Sequence, residues 1–416
     1  LSLFEELSVA ENIFIRDLPR SGLTIRWDEM FSKAEELLSR LRIQLDPASI
    51  VSSLSVGQKQ LVEIARSFTK PVKVLIFDEP TSALSEAETK HLFERIEEIR
   101  SQGVACLYIS HKFEEIERLC DRVTVLRDGE CVKHFDSRER SSTELIEAMV
   151  GRKIENVFPQ KRPPDPSRSV ILSVRNLSYV DRRQGKPILS DINFDVRKSE
   201  VFGIAGLMGS RRTELLLSLF GSLDAVKVSG EIEVDGQILN TSSPRDSIRA
   251  GLALVTEDRK LNGLVLERSV QENMTLPVLK QLSQFSKISQ KKESEIVDYY
   301  TRILRIKTAS AQTLVRHLSG GNQQKVILGR WLSSKPKILL LDEPTRGIDV
   351  MAKAEIYYLI RDLVDQGLTL ILVSSELPEI VSLADRVLVM KQGLNQGILE
   401  GSSISQTAIM ERAVAA

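Results

Sequence analysis

The sequence has little that would tie it to an oxidising compartment, a membrane interior or a polyanion. Its three cysteines, Cys106, Cys120 and Cys131, are odd in number, fall in one half of the chain and show no metal-site spacing. They read as reduced structural thiols of a cytosolic protein rather than a disulfide framework. There is no excess of either charge: Lys+Arg and Asp+Glu are both 57, so no bulk field draws the chain to nucleic acid or anionic lipid. No apolar run approaches the roughly 18 residues needed to cross a bilayer. No signal peptide and no low-complexity tract is visible. What remains, 42% hydrophobic and 27% charged residues, is ordinary for a soluble globular protein. A length of 416 residues suggests two or three domains.

What is present is a repeat. LSVGQKQLVEIAR begins at Leu54 and LSGGNQQKVILGR at Leu318; VLIFDEPTSAL carries Asp78 and Glu79, and ILLLDEPTRGID carries Asp342 and Glu343. YISHKFEEI carries Ser110 and His111 where VSSELPEI carries Ser374 and Ser375, and DRV recurs at Asp121 and Asp385. Each pair is 264 positions apart. Unrelated strings at one spacing mark a duplicated domain, because the period is far beyond that of a solenoid. The earlier pair SVAEN and SVQEN, ending at Asn12 and Asn273, is offset by 261. Copy two begins near Ser169, so repeat alignment leaves copy one short by roughly 90 residues upstream. The chain also starts with Leu, and it reads as N-terminally truncated.

Three regions follow: an incomplete first domain over 1–150, a linker over 151–169 containing the Pro-rich stretch KRPPDPSRS, and a second domain over 170–416. Within each copy short apolar runs alternate with amphipathic helical patterns, the signature of an α/β fold with a parallel sheet. VKVLIFDEP and PKILLLDEP are continuous apolar runs, expected as strands buried on both faces.

Four motifs carry chemistry. In VFGIAGLMGSRRTELLLSLFG an apolar strand enters a loop that opens a helix. Gly206, Gly209 and Thr213 match G-x-x-x-x-G-K-[ST], Ser210 lies within it, and Arg211 and Arg212 replace the third Gly and the Lys. Helix-start N–H groups there would face phosphates. Arg212 keeps a positive charge without the compact ammonium. Asp-Glu at a strand end, Asp78–Glu79 and Asp342–Glu343, supplies a Mg²⁺-holding carboxylate and one that orients a water for in-line attack. Ser319, Gly320 and Gly321 form a helix start fit for a terminal phosphate, with Ser55 and Gly57 as counterparts and Val56 restricting backbone approach. Capping alone would place the same residues. His111 follows a buried strand, as a structural or a catalytic histidine would; its counterpart Ser375 cannot place an imidazole.

Together these motifs resemble the Walker A, Walker B, LSGGQ-type signature and switch histidine of ABC-transporter ATPases. LSGGNQQK, DEPTRGIDV, VSSELPEI and GLMGSRRTEL look like the fused double ATPases of bacterial monosaccharide importers of the ribose, xylose, arabinose and galactose class. The galactose or methyl-galactoside branch looks closest. VTEDRKLNGL resembles the family's Q-loop, with Glu257 where Gln is usual. Tyr179 stands where the family often stacks an aromatic on adenine, a place a packing tyrosine fills equally well.

The resemblance implies tandem P-loop NTPase domains, each a parallel-sheet core with an antiparallel β subdomain and a helical signature subdomain. It also implies ATP and Mg²⁺, the latter held by Asp78, Asp342 and Thr213. Head-to-tail pairing would join Glu79 and His111 with Ser319, Gly320 and Gly321. The other site would join the Gly206–Thr213 loop and Glu343 with Ser55, Val56 and Gly57. Five departures in that second site, at Arg211, Arg212, Glu257, Ser375 and Val56, favour binding over turnover. The implied setting is the cytoplasmic face of the bacterial inner membrane. The implied partners are a dimer of permease subunits and, indirectly, a periplasmic sugar-binding protein. Two rival readings are a twin ABC ATPase acting on ribosomes, which usually has a long charged linker and two consensus sites, and an inactive truncated remnant.

Overall fold

The computed structural model describes residues 3–415 except 23, 82–83, 85, 111, 128, 137–141, 151–157, 162–164, 181–184, 224–227, 241–242 and 285–286. The chain divides into two compact units, Leu1–Met149 and Val150–Ala416. Each is described separately.

Unit 1 runs α1 (Val9–Phe14), α2 (Trp27–Arg40), α3 (Val56–Ser67), β1 (Val74–Asp78), α4 (Glu86–Ser101), β2 (Ala105–Ile109), α5 (Phe113–Leu119), β3 (Val123–Arg127), β4 (Glu130–Phe135) and α6 (Ser142–Val150). The SVAEN string explains itself at α1. Ser8 caps the helix in a reciprocal box with Glu11, and the buried Asn12 amide donates to Ser8 O at 3.0 Å. Val9, Ile13, Met30, Leu38, Val62 and Ile96 form the core between the helices. β1 pairs in parallel with β2, from Val74↔Ala105 to Asp78↔Ile109. β3 and β4 form a separate antiparallel hairpin. The expectation that VKVLIFDEP is buried on both faces fails here. Leu75 and Phe77 are buried, but Val74 and Ile76 are 60% and 61% exposed, because among the described residues only one face of the strand pair is covered.

Unit 2 contains β5 (Val170–Val180), β6 (Pro187–Arg197), β7 (Val201–Ala205), α7 (Arg212–Phe220), β8 (Val228–Val234), β9 (Gln237–Ile238), α8 (Pro244–Ala250), β10 (Leu252–Val255), α9 (Val270–Thr275), α10 (Gln290–Ile303), α11 (Gly320–Ser333), β11 (Ile338–Asp342), α12 (Val350–Asp365), β12 (Thr369–Val373), α13 (Leu377–Leu383), β13 (Arg386–Lys391), β14 (Leu394–Glu400) and α14 (Gln406–Val414). β10, β11, β12, β7 and β13 lie side by side in parallel, and β14 closes the edge antiparallel. β9, β8, β5 and β6 form an antiparallel sheet. Every residue of β7, β11 and β12 is buried, as expected of parallel strands covered on both faces. One core cluster joins α7 to the antiparallel sheet and one face of the parallel sheet through Leu215, Leu216, Leu219, Leu172, Leu340 and Ile371. The other joins α9, α11 and α12 to the opposite face through Met274, Ile327, Leu339 and Ile356.

Candidate functional site

The site gathers at the carboxyl ends of β7 and β11, where parallel α/β sheets place their ligands. β7 ends at Ala205, and the chain turns at once. A Cβ on Gly206 would stand 2.4 Å from the Met390 carbonyl oxygen, so no larger residue fits. Gly209 turns with φ +82°. Arg211, in place of the third glycine, also adopts a left-handed backbone, φ 73° and ψ 29°, at a cost of about 1–2 kcal/mol relative to glycine. The loop thus keeps the glycine's backbone path although the residue has changed. The Arg211 guanidinium turns to Glu214 at 2.7 Å. α7 begins at Arg212, with the positive end of its dipole at the loop.

Asp342 closes β11 and is buried. Burial pushes its carboxyl up to about 6, against the stabilising hydroxyl of Thr213. Its Oδ1 is buried and accepts no hydrogen bond among the described residues. An orphaned carboxylate oxygen beside a threonine hydroxyl is a donor set that fits a hard divalent cation.

Glu343 follows with a left-handed φ of 47°, its N–H donating to Val373 O at 3.0 Å. Glu79 repeats this, φ 43°, with its N–H on Ile109 O at 2.9 Å. Beyond this shared backbone the two differ. Asp78 and Glu79 are exposed, whereas the Glu343 side chain is nearly buried, with one oxygen hydrogen-bonded and the other ion-paired. Oε2 accepts the Ser375 amide at 2.9 Å and hydroxyl at 3.0 Å. Oε1 lies 3.6 Å from Arg212 Nη2. Arg212 Nη1 donates to Ser374 O at 2.7 Å. The Gly206–Thr213 loop, Asp342, Glu343 and Ser375 are thus brought together as the spacing suggests. His111 lies outside the described residues.

Glu257 forms an ion pair with Arg346, in the turn after β11. Arg259 donates to the carbonyls of Arg346 at 2.7 Å and Gly347 at 2.8 Å. A Cβ on Gly320 would meet that guanidinium at 2.9 Å, and one on Gly321 would meet the Ala352 Cβ at 2.5 Å. Packing within unit 2 therefore already demands a glycine at 321, whereas at 320 the flexible Arg259 side chain would have to move aside. Ser319 stands at the N-cap of α11 without a side-chain capping bond, and its hydroxyl accepts from the Asn322 amide at 2.9 Å. The unit 1 counterpart is occupied differently. The Glu88 carboxylate accepts from Ser55 Oγ at 3.1 Å and from Gly57 N at 3.3 Å, an anion seated on the start of α3. The residue 264 positions on is Ala352, which carries no charge. The side chain of Val56 lies outside the described residues. Tyr179, one residue before the end of β5, lies opposite Leu189 and packs on the cluster around α7.

Sequence reasoning missed one feature, a buried carboxylate behind each Asp-Glu turn. Glu379 accepts hydrogen bonds from Thr345 at 2.7 Å, Ser374 at 2.7 Å and the Tyr357 hydroxyl. Glu115 accepts from Thr81, from Ser110 at 2.7 Å and from Tyr108 at 2.8 Å. Each ties the turn after the first strand to the end of the next, so it positions Glu343 or Glu79 against the following loop. The signal was available: both repeated strings carry Ser and, five residues on, Glu. The tyrosines are not counterparts. Tyr108 comes from β2, Tyr357 from α12, and their repeat partners are Leu372 and Phe93.

Comparison with known proteins identifies the family. The family described as "ABC transporter" matches residues 1–82 and 189–346. A ribose import ATP-binding protein of Geobacillus kaustophilus is 45% identical over 415 residues, 99% of this chain and 82% of that protein. A xylose import ATP-binding protein of Thermoanaerobacter pseudethanolicus is 42% identical over 412 residues, 99% and 81% of the two chains. Among solved structures, a nucleotide-free ATP-binding cassette from an ABC transporter aligns with TM-score 0.51 at 18% identity, over 60% of this chain and all of that one. That likeness concerns the fold alone. The chain belongs to the ABC transporter family, as one of its tandem ATP-binding proteins.

Proposed function

We propose that this protein hydrolyses ATP to drive import of a monosaccharide through membrane-embedded permease subunits. On this reading one nucleotide site turns over, and a second mainly binds. The relatives named for ribose and xylose import support the sugar class. The observation that carries the nucleotide reading is the Gly206–Thr213 loop at the start of α7, facing the orphaned Asp342 carboxylate oxygen. The loop N–H groups and the α7 dipole bind phosphate oxygens. Asp342 and Thr213 would hold Mg²⁺ in unit 2, and Asp78 in unit 1; when bound, the ion neutralises phosphate charge. Glu79 orients the attacking water and takes its proton, and His111 supports that arrangement; the Ser319, Gly320 and Gly321 helix start offers N–H groups suited to a terminal phosphate. In the second site Glu257, Arg212 and Ser375 replace the groups that would favour turnover. Closure around ATP shifts the permease between two states because the ligand binds the closed state better.

Steady-state phosphate release tests the division of labour. Glu79→Gln should remove most turnover and keep ATP binding, by deleting the water-orienting carboxylate. Glu343→Gln should cost much less. Equal losses would refute the asymmetry.

A further inference from the structure

Arg212 does more than carry charge into the phosphate loop. Its side chain is 12% exposed and that of Glu343 10%, so their attraction is screened far less than a surface pair. The same guanidinium anchors the Ser374 carbonyl at 2.7 Å. Ser375 grips the other Glu343 oxygen through both amide and hydroxyl. A carboxylate with one oxygen held by two Ser375 donors and the other ion-paired to Arg212 is not set to receive a proton from water. Arg212 is also the first residue of α7, so a phosphate on that helix start is a second anion competing for one guanidinium. Copy one has His at the Ser375 position, so the serine clamp belongs to copy two.

We propose that Arg212, Glu343 and Ser375 form a latch operated by polyphosphate: nucleotide phosphate and the Glu343 carboxylate compete for Arg212. This rests on the reading that the loop binds nucleotide. Binding draws Arg212 toward phosphate and loosens Glu343. The latch therefore lowers nucleotide affinity, because binding must first draw Arg212 away from Glu343.

The test is a double-mutant cycle in the 416-residue chain with trinitrophenyl-ATP as probe, read as the binding component lost in Thr213→Ala. Glu343→Gln, an isosteric change, should tighten binding about fivefold. In an Arg212→Ala background the same change should alter affinity less than about twofold. Exchange of the Ser375 amide should accelerate when probe is bound. Unchanged affinity in Glu343→Gln, or equal tightening in both backgrounds, would overturn the latch, the latter because simple carboxylate–phosphate repulsion explains it. A Ser375 amide that stays protected in the bound state would overturn it as well. No Thr213-dependent binding at all would overturn the nucleotide reading itself, and the latch with it.

Discussion

Two strand pairs with the same sequence pattern meet different fates. Ile338 and Leu340 on β11, with Ile371 and Val373 on β12, are fully or almost fully buried under α7 and the antiparallel sheet. Their partners 264 positions earlier, Val74, Ile76, Leu107 and Ile109, are 60%, 61%, 54% and 45% exposed. The sequence of a strand states that both faces can be buried; what covers the second face decides whether they are. An open apolar face of this kind is an association hazard.

The largest contrast should come from truncating one matched pair. Leu340→Ala should destabilise unit 2 by about 2–5 kcal/mol, because it leaves a cavity under α7. Ile76→Ala should change unit 1 by less than about 0.5 kcal/mol. Denaturant unfolding followed by amide exchange in each unit measures both, and similar losses would mean that the exposed face of β1 is covered in solution.

The signature glycines give a smaller contrast. Gly321→Ala should cost about 1–3 kcal/mol, since its methyl group meets the Ala352 side chain on a packed helix. Gly57→Ala meets only the end of the flexible Glu88 side chain and should cost less than about 1 kcal/mol. Equal costs would show that α3 and α4 are as rigidly packed as α11 and α12.

The smallest contrast is in pH dependence. Burial pulls Glu115 up, but hydrogen bonds from Thr81, Ser110 and Tyr108 and the charge of Lys112 outweigh it and hold the carboxyl below its usual range. The residue matching Lys112 is Glu376. Burial, reinforced by that like charge, keeps Glu379 above its usual range. A lowered carboxyl contributes stability at pH above its unfolded value and loses it as pH falls through the folded one. A raised carboxyl contributes below its unfolded value and loses it as pH rises through the folded one. Acidification should therefore weaken unit 1 through Glu115, and rising pH should weaken unit 2 through Glu379. Melting curves of Glu115→Gln and Glu379→Gln against the unchanged protein should diverge in opposite pH directions; parallel curves would remove the electrostatic difference between the hubs.

Much of the site was legible because phosphate chemistry needs short local strings: a loop, a strand end and a helix start. Gly206, Thr213, Asp342 and Glu343 come together as their spacing suggests. Arg211 was readable only as a departure, since a residue name does not reveal that its backbone takes the left-handed path. Glu88 on the α3 start and Arg259 over Gly320 were not legible, because both contacts join segments 31 and more residues apart through side-chain directions that tertiary packing sets. The paired Ser and Glu behind each turn were visible in the repeat but have no motif grammar of their own.

The tyrosines of the two carboxylate hubs constrain the gene as well as the fold. Tyr108 reaches Glu115 from a strand, and Tyr357 reaches Glu379 from a helix. A crossover that replaced only the β2 segment with its later copy would leave Glu115 without a phenol. One that replaced only α4 would aim two phenols at one acid. Sequence exchange between the halves is tolerated at these hubs only when helix and strand travel together, so gene conversion would meet a barrier here even where the flanking strings share motifs.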